Sequence, residues 1–199
     1  MNIGLMYELG NGVKQDKWKA VDFYQKAANK GNQIGQVNLG FMYETGQGVK
    51  QDYQQAIMWY EKAAAQGNFR AIRKLASLYL AGSGVPKSTE KGLDWYQSAA
   101  EKGDANSQFE LGLIYANGKE VEKNITKAVE RYLKAAQQEH AGALNNLGVL
   151  KENGYPIGII TILEPSVITL VKVRDFYEQS CKLGDQKGCE NYKNYKGFF

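Results

Sequence analysis

The sequence predicts an all-α fold, a right-handed superhelical solenoid of about five antiparallel helix pairs, and three columns of residues carry that prediction. Tyr7, Tyr43, Tyr79 and Tyr115 stand 36 residues apart, as do Gly10, Gly46, Gly82, Gly118 and Gly154, and as do Tyr24, Tyr60, Tyr96 and Tyr132. The pairs Ala27-Ala28, Ala63-Ala64, Ala99-Ala100 and Ala135-Ala136 keep the same step, and so do Val13, Val49, Val85 and Val121. Columns that agree on one register exclude coincidence. The repeats occupy 1–34 (partial), 35–70, 71–106, 107–142 and 143–187, the last with an insertion near 157–173; a terminal helix follows at 188–196, and the whole of 1–199 reads as one solenoid domain.

Each column has a physical reason. In the second repeat Gly35, Leu39 and Tyr43 recur every four residues, with Gly40 and Gln36 beside them, which is one face of a first helix of about twelve residues. Gly46 stands where a left-handed residue ends that helix, a conformation glycine adopts without steric cost. Gly-Gln-Gly-Val then makes the turn. Asp16, Asp52, Ser88 and Asn124 have side-chain oxygens suited to cap the free amides of a second helix. That helix carries Ala56, Trp59, Tyr60, Ala63 and Ala64 on its buried side and stops at Gly67. Asn32, Asn68, Asp104 and, less well, His140 form the cap column for each next first helix. Small residues let helices approach while Leu39, Tyr43, Trp59 and Tyr60 fill the space between them.

Composition narrows the function classes. The chain has 199 residues, 43% of them hydrophobic and 23% charged, so disorder is not expected. Its 25 basic and 21 acidic residues give a net charge of +4, scattered without a dense basic block, which argues against a nucleic-acid partner. The longest apolar stretch, Tyr155 to Val173, is interrupted by Pro156, Glu164, Pro165 and Lys172, so no membrane span is expected.

The second repeat, Gln36 to Asn68, reads QVNLGFMYETGQGVKQDYQQAIMWYEKAAAQGN, and its spaced Leu-Gly, Tyr, Gly-x-Gly-Val, Trp-Tyr and Ala-Ala resemble the Sel1-like repeat, a relative of the tetratricopeptide repeat. The resemblance covers nearly the whole chain and implies a helical scaffold. Three departures predict turns that are slightly altered but not absent: Ala76 replaces the helix glycine of the third copy, Glu120 the second turn glycine of the fourth, and Glu139 its terminal glycine.

The two ends depart further. Met1 aligns with Val37, so the chain enters its first helix after the usual start and reads as a fragment or an unusual start. In the fifth copy Phe176-Tyr177 fit the register only if nine extra residues are admitted, which places an insertion within Ile157 to Val173. Its two β-branched runs would form either a small hairpin or an extension of the second helix after Pro165, and read as a packing flap more simply than as an exposed apolar contact surface.

Cys181 and Cys189 are the only cysteines, eight residues apart across a helix turn. Cys181 takes the second place of the alanine pair and Cys189 the place of Gln36. They are either two buried thiols or a disulfide that staples the last repeat to the terminal helix. The same C-x7-C placement is similar to that of a cysteine-rich bacterial branch of the family, which implies the disulfide and an oxidising compartment, periplasmic or secreted; the alternative is cytoplasmic.

No chemistry of catalysis is visible. The single histidine, His140, fills a cap column, and Cys181, Cys189 and His140 are too dispersed for a metal, so no cofactor and no catalytic residue are expected. Gly82 to Ser88 lacks the spacing of a phosphate loop. Asn124-Ile-Thr126 has the form of a glycosylation sequon, but Asn124 serves the cap column.

The expected function is a protein-interaction scaffold that holds a protein or peptide on the concave face, acts as a monomer and is no enzyme. The column Asn2, Asn38, Lys74, Glu110 and Asn146, with Asn145 beside it, is the expected binding line, because amides can pair with an extended backbone; ordinary solvated surface is the alternative. The column Leu5, Phe41, Ser77, Leu113 and Val149 reads as helix packing. The resemblance implies two further readings: an immunity or inhibitor protein that neutralises a bacterial effector, and a β-lactam-binding or hydrolysing enzyme, for which no nucleophile and base are visible.

Overall fold

The computed structural model describes residues 3–157 and 172–195, and the described residues form eleven helices and no strand. They are α1 (Ile3–Leu9), α2 (Lys17–Asn29), α3 (Gln33–Thr45), α4 (Tyr53–Ala65), α5 (Phe69–Ala81), α6 (Thr89–Glu101), α7 (Ala105–Asn117), α8 (Ile125–Ala136), α9 (Ala141–Glu152), α10 (Val173–Lys182) and α11 (Gln186–Asn194). The chain divides into two compact units, Met1–Tyr96 and Gln97–Phe199. Within each, consecutive helices pack as in a solenoid: α1 to α5 in the first unit and α7 to α11 in the second, with α11 also touching α9. Both readings of the insertion fall mainly on residues 158–171, which lie outside the described residues.

The cap columns set the helix starts. Asp16, Asp52, Ser88 and Asn124 accept from the backbone amides of Lys19, Gln55, Lys91 and Lys127 at 2.9–3.3 Å. Asn32, Asn68 and Asp104 do the same for Gly35, Ala71 and Ser107. At α9 the imidazole takes over: His140 Nδ1 accepts from the Ala143 amide at 3.2 Å. Gly46, Gly82 and Gly118 end α3, α5 and α7 in the left-handed conformation, with φ of 66–73°.

The departures from the repeat resolve individually. Glu120 has no positive φ, whereas its counterparts Gly12, Gly48 and Gly84 do, so the fourth turn follows a different path. Glu139 instead adopts the left-handed conformation of the glycines it replaces, φ 59° against 83° at Gly67. Such a residue costs about 1 kcal/mol relative to glycine. In the third copy small and large exchange sides. Ala76 stands for Gly40, and Gly92 stands for Ala56, because a Cβ on Gly92 would lie 2.6 Å from Leu80 and 3.0 Å from the Ala76 carbonyl.

In each unit the core is built of tyrosines laid on glycines. Tyr24, Tyr60, Tyr132 and Tyr177 are fully buried. A Cβ on the facing Gly4, Gly40, Gly112 or Gly148 would come within 2.4–2.8 Å of their rings. Glycine is therefore required on the first helix for the ring of the second to lie flat against it.

Candidate functional site

Burial of four tyrosines creates a demand for hydroxyl partners, and for Tyr24, Tyr60 and Tyr177 a first-helix carboxylate meets it. In the first unit Tyr24 donates to Glu8, and Tyr60 donates to Glu44 at 2.5 Å. Burial first, and then the carboxylate acceptor, pushes both phenols far above their ordinary value, so they remain donors at any physiological pH. Lys74 Nζ bonds Glu44 at 3.0 Å and stands over the Phe41 ring. Asn38 is buried near the Tyr24 hydroxyl and accepts weakly from the Arg70 guanidinium at 3.5 Å. The expected binding column thus runs, at Asn38 and Lys74, through a shelf of internally paired polar groups.

The second unit repeats the scheme with other residues. Burial pushes the Tyr132 hydroxyl up to about 12, with the nearby Asn146 amide opposing that rise. Tyr177 donates to Glu152 at 2.6 Å and is likewise held protonated by burial and that carboxylate.

Here, however, the column opens into a cleft of about 690 Å³ lined by α7, α9 and the start of α11. Phe109 and Leu113 of α7 supply its apolar floor, and Gly142, Asn145 and Asn146 of α9 its middle. The far wall is Asp185, Gln186, Lys187 and Glu190. The His140 ring stacks on Phe109 with centroids 4.4 Å apart, and burial lowers its pKa, which keeps Nδ1 free of a proton and able to cap α9. Asn145 bridges the two sides: its Oδ1 accepts from Asn191 Nδ2 at 2.8 Å and its Nδ2 donates to Asn146 Oδ1 at 3.4 Å. The Asn191–Asn145 bond ties α11 to α9 beside the cleft.

The far wall depends on the cysteines. Cys181 and Cys189 form a disulfide with Cα atoms 4.4 Å apart. It joins the end of α10 to α11, whose only buried residue is Gly188. Asp185 caps α11 through the Gly188 amide at 2.8 Å, and the Ser180 hydroxyl lies 2.9 Å from both the Asp185 carboxylate and the Ala141 carbonyl.

Of the residues expected to bind, Asn145 and Asn146 line the cleft. Glu110 lies one position beyond Phe109 on α7, Asn38 and Lys74 belong to the first unit, and Asn2 lies outside the described residues. Leu113, which its column suggested as packing, both lines the cleft and packs on the second unit's core. Phe109, Gly142 and the Asp185–Glu190 wall escaped the sequence reading. Phe109 carried one signal, a large aromatic in a column otherwise occupied by Met1, Val37, Arg73 and Asn145. Among the described residues no helix is long and apolar enough to cross a membrane, and no three potential metal ligands gather.

No curated protein matches the chain. Among solved structures it is similar to a Sel1 repeat protein from Oxalobacter formigenes, at 31% identity and TM-score 0.77, covering 97% of this chain and 82% of that one. It is also similar to c5321, a protective antigen of uropathogenic Escherichia coli with an SLR fold, at 32% identity and TM-score 0.74; 96% of this chain covers 39% of that one. Cysteine rich protein B of Helicobacter pylori matches at 27% identity and TM-score 0.50, over 67% of this chain and 96% of its own. The model of the Sel1 repeat matches residues 1–32, 33–68, 70–104 and 105–140 in succession, a scaffold that supports a protein-interaction role, and the chain belongs to the Sel1 repeat family.

Proposed function

We propose that this chain is a non-enzymatic interaction scaffold whose second unit seats an extended segment of a protein partner in the cleft between α7, α9 and α11. The observation that carries the reading is the combination of surfaces there. The aromatic and aliphatic floor of Phe109 and Leu113 lies beside the Asn146 amide and the polar wall of Gln186, Lys187 and Glu190. Apolar floors bind side chains and flanking amides bind backbone, which is how a peptide is held without chemistry being done on it. The first-unit column offers less, because Asn38 is buried and Lys74 is paired with Glu44. The disulfide supports an oxidising compartment, so we place the protein in the periplasm or outside the cell.

The test is a selection of short random peptides on the oxidised protein, followed by affinity measurement with variants. Binding should weaken about tenfold or more in Leu113→Glu and in Asn146→Arg, and should be unchanged in Trp18→Ala, a residue 73% exposed on the first unit. Peptides that bind both cleft variants as well as the parent would contradict the reading.

A further inference from the structure

We infer that the Cys181–Cys189 disulfide is a redox gate on the cleft: oxidised, it holds α11 in place as the far wall, and reduced, it releases that wall and with it the bound segment. The inference rests on the cleft being the binding site.

Three observations carry it. First, α11 has almost no apolar hold on the fold. Its sequence is Gln-Lys-Gly-Cys-Glu-Asn-Tyr-Lys-Asn, and only Gly188 is buried. Nine residues are also too few to hold a helix by themselves. Second, its remaining attachments are few: Asn191 to Asn145 at 2.8 Å, Tyr192 to Arg174 at 3.1 Å with the guanidinium also over the ring, the Asp185–Ser180 pair, the close approach of Gly188 to Ser180, and an edge contact of the cap residue Tyr195 with Tyr177 at 6.1 Å. The Arg174–Tyr192 contact is exposed, where water competes with it. Third, four of the nine residues that line the cleft, Asp185, Gln186, Lys187 and Glu190, lie within α11 or at its cap. Asn145, in the middle of the cleft, takes a hydrogen bond from Asn191 of the same helix. Loss of α11 would therefore remove a wall and leave a buried amide short of a partner.

Both cysteines are partly exposed, so the bond can be reached from solvent. The reductant is a dithiol. One of its thiolates attacks Sγ of either cysteine, the S–S bond breaks, and the other cysteine leaves as a thiolate that takes up a proton. The second thiol of the reductant then resolves the mixed disulfide. The protein gains two thiols and the dithiol becomes a disulfide, a balanced two-electron exchange. With no other cysteine in the chain, any effect of a dithiol on the protein is an effect on this bond.

The experiment measures amide hydrogen exchange and binding of one cleft-selected peptide on the full chain, with and without dithiothreitol. The gate predicts that amides of residues 186–194 exchange much faster on reduction while those of α7, α8 and α9 keep their protection. It also predicts that the peptide binds about tenfold more weakly, as it must if α11 is docked in only a tenth of the reduced molecules. The Cys181→Ser, Cys189→Ser double variant should behave as the reduced protein without any reductant. Unchanged exchange in 186–194 overturns the gate. Faster exchange with unchanged peptide affinity overturns it too, since the wall would then be irrelevant to binding. The underlying reading fails differently: there, no peptide selected on the oxidised protein would be sensitive to Leu113→Glu.

Discussion

The junction of α2 with α3 and the junction of α10 with α11 occupy the same place in the repeat and are closed by different chemistry. At the first, Gln36 Nε2 donates to the Ala28 carbonyl at 3.4 Å, and its Oε1 accepts from Gln66 at 2.8 Å. At the last, the equivalents of Ala28 and Gln36 are Cys181 and Cys189, and the link is covalent. The junctions between follow suit, with Gln108 donating to Ala100 at 3.0 Å, and Ala136 and Leu144 sharing one apolar cluster. The difference lies in what each arriving helix can bury. Helix α3 buries Gly35 through Gly40 and Met42, so its junction needs only a satisfied amide; α11 buries a single glycine and needs a staple. A covalent bond stands where burial is missing.

The comparison breaks first where burial is greatest. Tyr60→Ala removes a fully buried ring and should cost about 3–5 kcal/mol, measured by urea unfolding of the first unit. A loss under about 1 kcal/mol would show that the tyrosine column is not what holds the helix pairs. Next comes the staple. The Cys181→Ser, Cys189→Ser double variant should lose about 2–3 kcal/mol, the contribution expected for closing so short a loop. Local exchange should place that loss in α11 and spare α3.

Smaller effects sharpen the contrast among ends of second helices. Glu139 holds φ 59° where the other repeats use glycine. Glu139→Gly should raise the thermal midpoint, by the equivalent of about 1 kcal/mol. The smallest expected effect is at His140, whose burial lowers its pKa from the ordinary 6.5. The unfolded chain therefore takes up this proton at higher pH than the folded one. The cap's contribution is complete above pH 6.5 and is lost as pH falls from there to the lowered folded value. His140→Asn, which restores the cap type of Asn32 and Asn68, should leave stability near pH 7.5 little changed. It should also flatten the fall in stability on going to pH 5, measured as the difference between the two melting curves.

Much of the fold was legible because capping and glycine columns are local physics repeated at a fixed step. Asp16, Asn32, Asp52 and their successors each needed only three residues of context, and the structure uses all of them as caps. The cleft was half legible. Asn145 and Asn146 were read from the column, but a first helix touches neighbours on several sides, so periodicity alone could not say that Asn38 would be buried against Tyr24. The Tyr60–Glu44 and Tyr177–Glu152 bonds were missed because they join residues 16 and 25 apart, where no single-helix spacing brings them together. The far wall was missed although its staple was expected: the C-x7-C placement implied a disulfide to the terminal helix, but no spacing within one helix says that Asp185, Gln186, Lys187 and Glu190 would line a cleft with α7 and α9.

The central claim is that the cleft of the second unit is where a partner segment sits, and isotope-resolved titration tests it most directly. As a peptide selected on the oxidised protein is added, the largest nuclear resonance shifts should fall on Gly142, on the side-chain amides of Asn145 and Asn146, and on Gln186 and Lys187. Two other hollows compete for it, one lined by Phe23, Ile34 and Gly35 and one by Gln137, Leu144 and Leu183. Shifts concentrated at either of those, with Gly142 and Asn146 unmoved, would contradict the account.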